Sequence, residues 1–252
     1  MTYAPDRAAL AQYLDMIFGY VDGAEHCIAL RGAGEKGTAG EGAFIEPVIV
    51  PGIKSQFDID RIFGHVQRWS QHGRASFIVP AAVDNAALAP NDHHATEDRI
   101  KLLTTMMVDI DKGDTIRALA WAQATMGQAS MVVYSGGTTE TGHPKIHAYW
   151  KLSEPSDQVA AIAAARKMLA LKIGGDPSFG RSTQVVRLPG SLYGKGGVVK
   201  PCMISEITSY EYDLDDILQA VSDMPTLPGL KVDQSKLQPM LTPTVYSGSG
   251  GL

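Results

Sequence analysis

Apolar positions recur at helical spacing through Leu10, Leu14, Phe18 and Val21 behind Pro5 and Asp6, which predicts an amphipathic entry helix over residues 6–21. The next apolar runs, HCIALR at 26–31 and AFIEPVIV at 43–50, are rich in strand formers and flank a Gly-rich stretch. That pattern predicts a hairpin with a long tip. Ile59, Ile62, Phe63, Val66 and Trp69 return to the 3.6-residue period, and Ser55 with Asp58 three residues later reads as a capping box that opens this second helix. ASFIVP at 75–80 predicts a strand, followed by a polar connector. From Leu102 the chain runs LLTTMMVDID, an apolar, Thr-rich central strand that ends in acids. A helix near 114–126, strands at 130–135 and 145–152 and an Ala-rich helix at about 155–173 follow. Strand segments within TQVVRLPG and between 198 and 208 precede a closing helix at 213–221. The predicted class is α+β, a central mixed or antiparallel sheet flanked by helices, with an N-terminal α/β lobe on a second small sheet.

Residues 1–222 then form the folded unit, with a lobe over about 1–100 and a core over about 101–222. Pro225, Pro228, Pro239 and Pro243 recur beyond it and the end reads SGSGGL, so residues 223–252 read as a flexible linker or tail.

Composition narrows this little. Of 252 residues, 44% are hydrophobic and 19% charged, enough for a sizeable core and too ordered a mixture for disorder to dominate. With 22 bases against 27 acids the net charge is −5, so contact with nucleic acid must rest on locally placed Lys and Arg. Cys27 and Cys202 stand alone, giving neither metal-finger spacing nor a disulfide framework. No apolar run reaches the roughly 18 residues of a membrane span, and the N-terminus has no signal pattern. The expectation is a soluble cytoplasmic protein.

GAGEKG at 32–37 matches the G-x-G-x-x-G dinucleotide fingerprint, but a strand rather than a helix is predicted after it, so it reads as the hairpin tip. The segment from Gly190 to Lys195 is one residue short of a phosphate-binding Walker loop and lacks its Ser or Thr. His93 and His94 lie in a polar connector and, being adjacent, point apart.

Asp-Ile-Asp occurs twice. Asp58 and Asp60 begin a helix and diverge, suiting its positive N-terminus. Asp109 and Asp111 end a strand, where alternation puts both carboxylates on one face about 6.6 Å apart at the backbone. Such a pair either holds a divalent cation or, with Lys112, Gly113 and Asp114, makes a turn. Downstream, Lys145, His147 and Tyr149 share a strand face after Ser135, and Asp176 follows two glycines. Arg187 then precedes Leu-Pro-Gly and Lys195. Acids suit metals, while His, Arg and Lys suit a triphosphate.

In this order the residues resemble the archaeo-eukaryotic primase (AEP) superfamily, most closely the primase-polymerase domains of plasmids and phages. The likeness spans about residues 25–210: an acid-x-acid strand, a small-x-His strand, a third acid, and an R-L-P-G segment followed by Lys. The resemblance implies template-directed nucleotidyl transfer with two Mg²⁺ or Mn²⁺ ions on Asp109, Asp111 and Asp176. It implies nucleotide contacts from His147, Lys145, Ser135, Arg187 and Lys195. One departure is Lys145, which stands where the pattern has a serine. Partners implied are a single-stranded DNA template, NTPs or dNTPs, and a fused or separate helicase or helical accessory domain, in a bacterial, plasmid or phage setting. Tyr134, Tyr149 and Tyr193 are candidates for base stacking. Two other readings stand beside this one: a DNA-binding replication protein without chemistry, and a rolling-circle nicking endonuclease. The latter lacks its His-hydrophobic-His pair, since His143 and His147 are four apart.

Overall fold

The computed structural model describes residues 3–35, 37, 41, 44–53, 56–85, 95–233, 235 and 237. His93, His94, Lys36, Ser55 and the SGSGGL end lie outside the described residues.

The entry helix α1 is Arg7–Phe18, capped by the Asp6 carboxylate on the amides of Ala8 and Ala9. Strands β1 (His26–Gly34) and β2 (Phe44–Ile53) form the expected antiparallel hairpin, and β3 (Gln56–Phe57) adds to its edge. Helix α2 is Ile59–Gln71, and its cap is Asp58 rather than Ser55. The Asp58 carboxylate accepts from the Arg61 amide, so the first helical turn starts three residues later than the capping-box reading placed it. Next come β4 (Arg74–Ile78) and β5 (Ala82–Asp84), the latter inside what the sequence presents as connector.

The core is built from β6 (Ile100–Ile110), α3 (Thr115–Met126), β7 (Met131–Thr138), β8 (Pro144–Ser156) and α4 (Val159–Ile173). Short strands β9 (Val186–Arg187), β10 (Leu192–Tyr193), β11 (Lys200–Pro201), β12 (Met203–Ile207) and β13 (Glu211–Tyr212) follow, and α5 (Leu214–Asp223) closes the fold.

The strand order is β12-β7-β8-β6-β5-β1-β2-β3, with β13 on β8 and β4 bridging β1 to β9. Among the described residues the lobe therefore has no separate sheet of its own. Antiparallel pairing of β5 with β6, Ala82 opposite Leu102, joins its strands to the core. The small extra sheet is instead the hairpin β10-β11.

Period-two alternation sorts the central strands onto two cores. Met106, Val108, Ile110, Ala148 and Trp150 face a cluster shared with α3, α4 and α5. Met107, Met131, Val133 and Tyr149 face the opposite cluster, with α1 and α2. Two of the buried polar side chains are tied to backbone carbonyls. Trp150 Nε1 donates to Gly127 O at 2.7 Å, and Arg166, buried on α4, donates from Nη2 to Thr105 O at 2.7 Å.

The described residues just beyond α5 pack against the domain. Met224 is buried, Leu227 N donates to Lys172 O, and Pro225 O and Pro228 O accept from Trp121 and Arg117 of α3. No helix among the described residues is long and apolar enough to cross a membrane.

Candidate functional site

Antiparallel pairing brings the C-terminal ends of β6 and β7 beside the N-terminal end of β8. On one face of these strands the side chains change from apolar to polar toward that end. Met107 gives way to Asp109 and Asp111, Tyr149 to His147 and Lys145, and Val133 to Ser135. The inner members pack in the core. The outer ones open into a cavity of about 360 Å³. Register fixes the meeting: Asp109 and Val133 both lie opposite His147. Imidazole Nε2 is 3.7 Å from Asp109 Oδ1, and Lys145 Nζ is 3.5 Å from Asp111 Oδ2.

Asp176 reaches the same cavity from another element. Gly174 ends α4 in the left-handed conformation (φ 84°), where its amide still bonds Ala170 O. Gly175 then lies so close to β6 that a Cβ would stand 2.7 Å from Asp109 O. This approach lets Asp176 N donate to Asp109 O at 2.8 Å. The Ser178 amide and hydroxyl orient the Asp176 carboxylate at 2.9 and 2.7 Å. Gly175→Ala is expected to push this turn off β6, costing about 1–3 kcal/mol as an overpacked contact. The check is thermal unfolding, in which the melting temperature should fall; an unchanged melting temperature would remove the close-approach explanation.

Arg187 and Lys195 come from the connection after α4. Arg187 lies on β9, held to β4 with Phe77 as its register partner. Its Nη1 donates to Glu35 Oε1 at 2.5 Å and to Leu192 O at 3.3 Å. The Phe77 and Tyr193 rings lie on the guanidinium, each with its centroid 4.9 Å from Cζ. Lys195 sits in the glycine-rich turn between β10 and β11 and also lines the cavity. Glu35 is the site residue that sequence reasoning missed. Its only signal is a lone acid at the Gly-rich end of a strand, and nothing local says which distant cation it meets.

Burial, then the charges of Asp111 and Asp176, pushes the Asp109 carboxyl up to about 8, with Lys145 acting the other way. Burial, and then Arg187, pushes His147 down to about 3. The imidazole is thus neutral at physiological pH and offers a hydrogen bond rather than a charge. Asp111 Oδ1 and His147 Nδ1 are buried without a hydrogen-bond partner. Among the described residues, no three His, Cys, Asp or Glu side chains close on one point as a ready metal site. The donors nevertheless suit a hard divalent cation: crowded carboxylates, one orphaned oxygen, and a repulsion that positive charge relieves. Tyr149 is fully buried, edge-on to Tyr13 with ring centroids 5.7 Å apart, and cannot stack on a base. Tyr193 lines the cavity.

No protein-family model matches the sequence, and no curated protein sequence matches it. Solved structures do. The AEP domain of the cyanophage S-2L primase-polymerase superposes with a TM-score of 0.61 at 21% identity, covering 87% of this chain and 100% of that one. Primase RepB′ gives 0.54 at 13% identity over 92% of this chain and 65% of that one. The catalytic domain of RepB′ in complex with initiator DNA gives 0.53 at 14% identity over 85% and 92%.

Proposed function

We propose that this chain, which has the fold of primase-polymerase AEP domains, is a template-directed nucleotidyltransferase acting on a single-stranded DNA template. The supporting observation is that Asp109, Asp111 and Asp176, from two separate elements, line one cavity with His147, Arg187 and Lys195. In the reaction a 3′-hydroxyl attacks the α-phosphate of a nucleoside triphosphate and pyrophosphate leaves. Asp109, Asp111 and Asp176 would hold two Mg²⁺ or Mn²⁺ ions, which when bound supply charge neutralisation at the attacking and departing oxygens. Arg187 and Lys195 bind phosphate oxygens. Neutral His147 contributes a hydrogen bond, and Ser135, on the neighbouring strand, adds a hydroxyl to the same wall. Lys145, close to Asp111, tempers the negative charge of the acid cluster and borders the phosphates.

DNA as partner is supported by the fold shared with a protein solved on initiator DNA. We take residues 1–222 as the catalytic unit, with the stretch through Pro228 packed against it, and the Pro-rich residues further on suit a join to a helical accessory or helicase module.

The test incubates the protein with single-stranded template, Mg²⁺ or Mn²⁺ and labelled ribo- or deoxynucleotides, with and without a primer. Metal-dependent extension of the labelled strand is expected. Template binding with neither nucleotide binding nor incorporation would leave a DNA-binding replication protein instead, and strand nicking without synthesis would favour the endonuclease.

A further inference from the structure

Glu35 takes no part in the mechanism above, yet it borders the same cavity. We infer that Glu35 is a positioning residue for the phosphate grip: its carboxylate fastens Arg187 and the turn carrying Lys195, so that both cations are in place before a nucleoside triphosphate arrives. This inference rests on the nucleotidyltransferase reading and deepens it.

Glu35 Oε1 accepts from Arg187 Nη1 and, at 3.3 Å, from the amide of Gly194, the residue before Lys195. One carboxylate oxygen from the N-terminal lobe thus ties together two segments more than a hundred and fifty positions away in the chain. Leu192 O takes a second bond from Nη1, and aromatic rings lie against the guanidinium. One nitrogen of the fork is thereby occupied, whereas Nε and Nη2 have no hydrogen-bond partner among the described residues. A phosphate takes two parallel N–H donors from such a fork, and a fork already held at its third nitrogen loses little freedom on binding.

A carboxylate beside a phosphate site has an opposite reading, as a placeholder that the triphosphate must displace. The burial of both partners decides against it. The side chains of Arg187 and Glu35 are only 10% and 7% exposed, and parting two charges in such surroundings is costly. The pair therefore persists in the complex, where it orients the cation at the expense of part of its field. The glycines that end β1, Gly32 and Gly34, part of a failed dinucleotide fingerprint by sequence, acquire a function as the strand end that presents Glu35.

The experiment compares Glu35→Ala, Glu35→Asp, Glu35→Gln, Arg187→Ala and the Glu35→Ala/Arg187→Ala double variant in the full chain. Readouts are the Kd of a fluorescent deoxynucleoside triphosphate with Mg²⁺, kcat and KM on a primed template, template Kd and thermal unfolding. Glu35→Ala should raise nucleotide Kd and KM about tenfold with kcat within about threefold and template Kd unchanged. Glu35→Gln, which keeps the acceptor, should stay within about threefold of the parent, whereas Glu35→Asp, which keeps the charge but loses reach, should weaken nucleotide binding about fivefold. The double variant should bind nucleotide no more weakly than Arg187→Ala alone, because the carboxylate acts through the cation.

Unchanged or tighter nucleotide binding in Glu35→Ala, or tighter binding in Glu35→Gln, would overturn the inference while leaving the functional reading intact. If Glu35→Ala does not fold, Glu35→Asp against Glu35→Gln decides on the same terms. A parent protein that binds no nucleotide would instead defeat the functional reading, and this inference with it.

Discussion

Asp109→Asn is expected to lower primer extension by on the order of 10³-fold while making the metal-free protein harder to melt, by about 2–4 °C at neutral pH. The two effects have one origin. Burial first, and then the charges of Asp111 and Asp176, push the Asp109 carboxyl up to about 8. A neutral amide of the same shape needs no proton taken up on burial and also lacks the charge proposed to hold a cation. Mn²⁺ should accordingly raise the melting temperature of the parent protein and leave that of the variant almost unmoved, since a ligand stabilises only the state that binds it. Asp111→Asn should behave alike in extension, and neither change should weaken template binding. Extension at the parental rate in either variant would remove the assigned metal site. Lower stability with lost activity would point to damage of the sheet end instead.

The second large effect is expected at Arg187. Arg187→Ala should reduce kcat/KM for the nucleotide about 10²-fold, through loss of a fork-shaped phosphate donor. It also takes the guanidinium away from the buried Glu35 carboxylate, at a cost of about 3 kcal/mol, or roughly 6–12 °C in melting temperature. Arg187→Lys separates the two contributions. A lysine keeps the charge opposite Glu35 but lacks the planar fork and the ring stacking, so stability should recover more than nucleotide affinity. Steady-state kinetics at saturating template, alongside thermal unfolding, reads both. An unchanged nucleotide KM in Arg187→Ala would take phosphate binding away from this residue.

The sequence reveals periodic elements and the ends of elements well, because those are local. The 3.6 period of α2 and the alternation through Asp109 and Asp111 depend only on neighbours in the chain. The capping of α2 shows where local chemistry misleads. Ser55 and Asp58 both satisfy a cap pattern, and only the path of the chain leaving β3 selects Asp58. The length of β8, which runs on to Ser156, and the three-residue span of β5 are likewise set by partners across the sheet.

Resemblance in the order of short motifs pointed to the acids, the histidine and the two downstream cations, and the fold brings all of them to one cavity. Their electrical states were not legible in the same way. His147 is neutral because it is buried, and Lys145 stands beside Asp111 because the ends of β6 and β8 are in register. Glu35 was invisible, being defined by contacts across most of the chain.

What the sequence determined by itself, then, is which strands and helices form and which residue types stand at their ends, since backbone sterics and side-chain periodicity act over a few residues. What only the tertiary structure decided is the joining of the lobe to the central sheet through β5 and β6, the approach of Gly175 to Asp109, and the fastening of Arg187 by Glu35. Each of these joins segments far apart in the chain, and their selection depends on packing and burial that no local pattern encodes.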